Sequence, residues 1–190
     1  MSRKDFFESI ASKYQYKDLE KIQIAYWLCK NAHRPQMRND GQRYFEHPLR
    51  VVKILIDHNY YDTDTIAAAF LHDVVEDTYT PQSVVINLFG QTVWQYVSLL
   101  SKTRHVLDPL TLELFSVSKK DTASYYEDIS NAPKEVRLIK IADRLDNVSD
   151  IETFSNERKI KYITETEKYI LPFAYKTDYE IAEKIKSRIQ

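Results

Sequence analysis

Glycine is scarce in this 190-residue chain, which has only Gly41 and Gly90. Phosphate-cradling loops and dinucleotide fingerprints need several glycines close together. Any phosphate binding must therefore come from side chains and metal. A single cysteine, Cys29, excludes an internal disulfide and suits a reducing compartment. Its setting, IAYWLCKNA, gives it the role of a small buried thiol. Long hydrophobic runs are missing too. No segment approaches the roughly 20 apolar residues that span a bilayer, and MSRKDFFESIASKY has neither the apolar core nor the cleavage site of a signal peptide. These absences predict a cytoplasmic protein. An excess of one charge is also lacking: 27 basic and 28 acidic residues leave a formal net charge of -1. No global field points to nucleic acid or to an anionic membrane as partner.

What is present is helical periodicity, with no convincing strand alternation or hairpin signal. Phe6, Ile10 and Tyr14 recur at helical spacing, and Asp18 can cap a second helix ending near Ala32 or His33. Residues Arg34 to Phe45 break the pattern with Pro35, Asn39, Asp40 and Gly41, giving a long loop. Pro48 suits the first turn of a third helix ending near His58, and Asp62 or Thr63 starts a fourth that carries AAAFLHDVVEDT. Shorter helices are expected to Leu88, over Thr92–Leu100 and over Lys119–Ser130. His105–Ser118, with Pro109, reads as a turn and a short helix. Pro133 opens the most regular helix, Lys134 to about Phe154, and two polar helices follow, with Pro172 between them. The expectation is an all-α, single-domain helical bundle covering residues 1–190, with no room for a further catalytic or regulatory domain.

Candidate chemistry collects in three places. On one continuous helix, Glu76 would lie over His72 and Asp73, and Asp77 over Asp73. Titratable groups in so apolar a run need partners, and one imidazole with one carboxylate suits a divalent metal. The alternative is a helix C-terminus with solvated acids. His47 is held at a helix entrance by Pro48. Asp143, inside the apolar face of KIADRLDN, shares a face with Lys140 and Asn147; it is either ion-paired to Lys140 or Arg144 or bound to metal. His33, His58 and His105 read as capping or surface histidines.

Three segments in order, AHRPQMRNDGQRYFEHP, AAAFLHDVVEDT and KIADRLDN, resemble the HD-type hydrolase domain of the RelA/SpoT stringent-response enzymes, above all their stand-alone small alarmone hydrolase relatives. The resemblance runs from about Tyr26 to Ile151. It implies that His47, His72, Asp73 and Asp143 hold one divalent metal, Mn²⁺ in the family, although zinc fits the donors as well. It implies that Glu76 and Asp77 produce the nucleophilic water, that Arg38 packs on a purine and that Asn147 contacts the nucleotide. Arg34, Arg43 and Lys140 are further candidates for substrate binding. The implied reaction is hydrolysis of the 3′-pyrophosphate of (p)ppGpp to GDP or GTP and pyrophosphate. The expected partner is thus a small nucleotide, with a homo-oligomer left open. The chain departs from the family pattern at Asn39, Asp40, Gln42, Arg43 and Asp146, which leaves base recognition open. Two alternatives are (pp)pApp or the 2′-phosphate of NADPH as substrate. A third, of another class, is a non-catalytic nucleotide-binding sensor.

Overall fold

The computed structural model describes residues 3–38, 41–107 and 114–190. Helix α1 (Arg3–Ile10) and a 3-10 turn lead into α2 (Tyr16–Ala32), which is followed by a loop and then α3 (Glu46–Asp57), α4 (Thr63–Leu71) and the short α5 (Val74–Asp77). Helices α6 (Gln82–Phe89) and α7 (Gln91–Leu100) precede two strands, β1 (Thr103–Leu107) and β2 (Leu114–Lys119). Then come α8 (Thr122–Asn131), α9 (Lys134–Ser149), α10 (Asn156–Glu165), α11 (Leu171–Thr177) and α12 (Tyr179–Ile189).

The core is built around α4. Its stretch Ile66–Leu71 is wholly shielded from solvent, with α2, α3, α7 and α9 packed around it. Three consecutive alanines let those neighbours approach closely, and burial on every side explains why α4 lacks a polar face. Asp62 caps it by accepting the Thr65 N–H at 2.8 Å. The broad apolar face of α9 packs on α3, α4, α7, α11 and α12. Cys29 is buried, as its apolar setting predicts. Among the described residues no helix is long and apolar enough to cross a membrane.

The all-α reading holds with one exception. β1 and β2 pair antiparallel, with Thr103 opposite Lys119, where the sequence predicts a turn and a short helix. Pro109 lies outside the described residues. Strands this short alternate too few residues to register as a pattern. A second correction concerns the segment with the greatest chemical interest. Instead of one helix through AAAFLHDVVEDT, α4 ends at Leu71, and Asp73 at φ −103° and ψ −8° starts a separate turn. The long helix ends at Ser149 and passes into a 3-10 turn rather than reaching Phe154. Helix α2 starts after Gln15, not at Asp18. Pro172 sits in the first turn of α11, so the C-terminal region holds three helices.

Candidate metal centre

His47 comes from the first turn of α3, His72 and Asp73 from the break after α4, and Asp143 from the middle of α9. Ligand atoms of His47, His72 and Asp73 all lie within 4.8 Å of one another. Asp143 joins through His47, its Oδ1 lying 3.3 Å from His47 Nε2. Both imidazoles are held from behind. His72 Nδ1 lies 2.8 Å from the Ala69 carbonyl, which can only accept. His47 Nδ1 lies 2.6 Å from Asp146 Oδ2. With the proton on Nδ1, each Nε2 keeps a lone pair facing the cleft. His72 Nε2 is buried and has no hydrogen-bond partner among the described residues. Asp73 Oδ2 lies 3.1 Å away without hydrogen-bond geometry.

The electrostatics call for positive charge. Burial disfavours ionising Asp73 and Asp143, but His72 and His47 beside the first, and Lys140 with His47 beside the second, hold both carboxyls below the usual range. Burial likewise disfavours charging His72, yet Asp73 and then Asp143 lift it to about 9. An orphaned buried nitrogen, a second imidazole and ionised carboxylates are donors that fit a divalent cation.

Around this group lies a cleft of about 350 Å³. Asp77 lines it, and its carboxyl is raised by burial and then by Asp73, against the Tyr44 hydrogen bond. Glu76 lines it too, with Oε2 accepting the Lys102 backbone N–H at 2.8 Å. Asp77 stays in helical register with Asp73, whose carbonyl accepts the Asp77 N–H at 2.8 Å, while Glu76 reaches toward Lys102. Arg38, Lys102, Lys140, Arg144 and Arg158 supply basic lining. Lys102 is lowered by Lys140 and then by burial, so cations crowd where an anion would relieve them. Arg38 donates to Asn147 at 3.3 Å and to Asp150 at 3.2 Å. Lys140 is taken up by Asp143 at 2.8 Å.

Two expected residues lie elsewhere. Arg34 and Arg43 do not line this cleft; they are exposed and border a separate cavity of about 390 Å³ with Lys30 and Phe45. The loop doubles back through a Met37–Arg43 bridge, with Gly41 at φ +81°, a conformation glycine adopts freely. Arg38 and Tyr44 thus face the cleft and Arg34 and Arg43 face away. His33 caps α2, as a capping histidine should, but it is buried rather than on the surface and stacks on Tyr44 with centroids 4.6 Å apart. His58 does cap α3; the His105 side chain lies outside what is described.

Sequence reasoning missed Tyr44, whose hydroxyl donates to Asp73 Oδ2 at 2.6 Å and approaches Asp77 Oδ2 at 3.1 Å. Burial and the nearby Asp73 keep that phenol protonated. The partners Asp146, Arg50 and Asp150 were missed as well. The available signals were spacing alone: Tyr44 three residues before His47, Asp146 three after Asp143.

A family model described as HD domain matches residues 25–179. A probable guanosine-3′,5′-bis(diphosphate) 3′-pyrophosphohydrolase of Mycoplasma genitalium is 30% identical over 167 residues, covering 85% of this chain and 23% of the relative. Its counterpart in Aquifex aeolicus is 32% identical over 179 residues, covering 93% of this chain and 24% of the relative. The chain therefore spans about a quarter of the length of these curated relatives. A solved structure of a metazoan ortholog of SpoT that hydrolyzes ppGpp superposes with a TM-score of 0.71 at 25% identity, covering 92% of this chain and 94% of that one.

Proposed function

Since the chain belongs to the HD domain family, whose fold implies a divalent metal, we propose that it hydrolyses the 3′-pyrophosphate of (p)ppGpp, releasing pyrophosphate and GDP or GTP. One observation carries the reading: the unpartnered Nε2 of His72 meets His47 and Asp73 within 4.8 Å, in a cleft with both acidic and basic walls. The names of the bacterial relatives and the ppGpp hydrolysis of the metazoan ortholog support it.

In this proposal His47, His72, Asp73 and Asp143 hold the cation, and the cation is Mn²⁺. When bound, it supplies positive charge against phosphate oxygens and lowers the pKa of water. Everything else falls to the chain. Asp77, its proton affinity raised by burial, accepts the proton of the attacking water. Glu76 keeps the Lys102 segment against the cleft through its backbone hydrogen bond. The Tyr44 hydroxyl orients the Asp73 and Asp77 carboxylates. Lys102 and Arg158 neutralise phosphate charge, since phosphoryl chemistry rests on positioning and electrostatics. Arg38 offers a planar guanidinium to the purine, its edge held by Asp150 and Asn147. The site's own electrostatics favour a small anionic nucleotide as partner.

The test is pyrophosphate release from ppGpp by the purified Mn²⁺-loaded chain, with ppApp and NADPH alongside. Turnover of ppGpp foremost supports the proposal. Preference for an adenine substrate keeps the chemistry and reassigns the base. Tight ppGpp binding without turnover makes the chain a sensor, and full activity in Asp73→Ala overturns the ligand set.

A further inference from the structure

His72 and His47 are oriented by different means. The Nδ1 of His72 meets a carbonyl of its own helix, Ala69, so backbone geometry alone fixes that ring. His47 has no such local acceptor; its Nδ1 faces a side chain from another helix, Asp146 Oδ2 at 2.6 Å. Asp146 is 4% exposed, and a carboxylate so buried must be paired. The pairing comes from Arg50, one turn along α3 from His47. Its Nε lies 2.5 Å from Asp146 Oδ1 and its Nη2 3.1 Å from Oδ2. A two-point fork of this kind fixes the carboxylate plane as well as its position. Arg50 also reaches Asp150 at 3.4 Å and Gln42 at 3.1 Å. Asp146 does not line the cleft; it reaches the site through His47 Nδ1 and, at 3.7 Å, through Arg38 Nη1.

Building on the metal centre proposed above, we propose that Asp146, gripped by Arg50, is the positioning residue for His47. It keeps the proton on Nδ1 and the Nε2 lone pair aimed at Asp73 and Asp143. The same carboxylate increases the donor strength of Nε2, as outer partners of ligating histidines do. The unit ties α3 to α9, the two helices that bring His47 and Asp143 together.

The experiment compares wild type with Asp146→Ala, Asp146→Asn and Arg50→Met. Mn²⁺ affinity is measured by competition with a chelating dye, the His47 tautomer by nitrogen NMR of the metal-free protein at a pH high enough to neutralise the imidazole, and folding by thermal melting. In Asp146→Ala, Mn²⁺ affinity should fall about 10- to 100-fold and the Nδ1–H form of His47 should give way to a tautomer mixture. Asp146→Asn keeps an acceptor and should recover part of both; Arg50→Met should lie between. A purely structural role would lower the melting temperature while leaving the tautomer and the affinity of the folded fraction unchanged, which overturns the proposal. If Asp146→Ala does not fold, the same two readouts on Asp146→Asn and Arg50→Met decide. Failure of wild type to bind Mn²⁺ would defeat the metal centre itself. Wild-type binding with unaltered variants defeats only the role of Asp146.

Discussion

Tyr44 and Asp77 show how much of the site depends on side chains beyond the four candidate ligands. The Tyr44 hydroxyl touches both Asp73 and Asp77, and hydrogen bonds to charged groups contribute roughly 1.5–3 kcal/mol. Tyr44→Phe should therefore lower kcat/KM for pyrophosphate release by roughly 10- to 100-fold, with the fold intact by circular dichroism. Asp77→Asn should lower kcat by about 10²- to 10⁴-fold while Mn²⁺ affinity stays near that of wild type. A matching loss of metal would make Asp77 a ligand instead of a proton acceptor. At this scale the sequence was informative where side-chain type carries the information. His47, His72, Asp73 and Asp143 were picked out in the sequence, and the fold brings them to one place. It misled for Arg34 and Arg43, because nearness to His47 along the chain says nothing about which face of a doubled-back loop a residue occupies.

Elements explain the rest of what could and could not be read. Helix α4 was legible because the apolar run Ile66–Leu71 follows a capping Asp62, while its end at Leu71 was not, since VVED continues the helical pattern. The paired strands were invisible because they span so few residues. Two consequences can be measured. Leu71 has no solvent exposure, so Leu71→Ala should lower unfolding free energy by about 2–5 kcal/mol, read from the urea midpoint. Asp178 caps α12 through the Ile181 N–H and accepts the Tyr60 hydroxyl. Burial raises its carboxyl, but these bonds and His58 outweigh it, and the net shift is downward. A carboxylate depressed on folding stabilises above its unfolded value, about 3.9, and that contribution is lost as pH falls through the folded value. Asp178→Asn should therefore show a flatter loss of stability below about pH 4 than wild type.

For the whole molecule, the core stands apart from the charged site it carries. A chain of this length buries enough apolar surface to fold without metal, and the helices around α4 supply that core. Chelation should thus lower the melting temperature without unfolding the protein. Mn²⁺ at 100 times its Kd should restore about 2.7 kcal/mol, and this increment should vanish in His72→Ala. The central claim is that residues from α3, the break after α4, and α9 converge on a single cation. Anomalous diffraction at the manganese edge from Mn²⁺-soaked crystals tests it most directly. The account predicts one peak bounded by His47 Nε2, His72 Nε2, Asp73 and Asp143. A peak elsewhere, or none at full soaking, would contradict it.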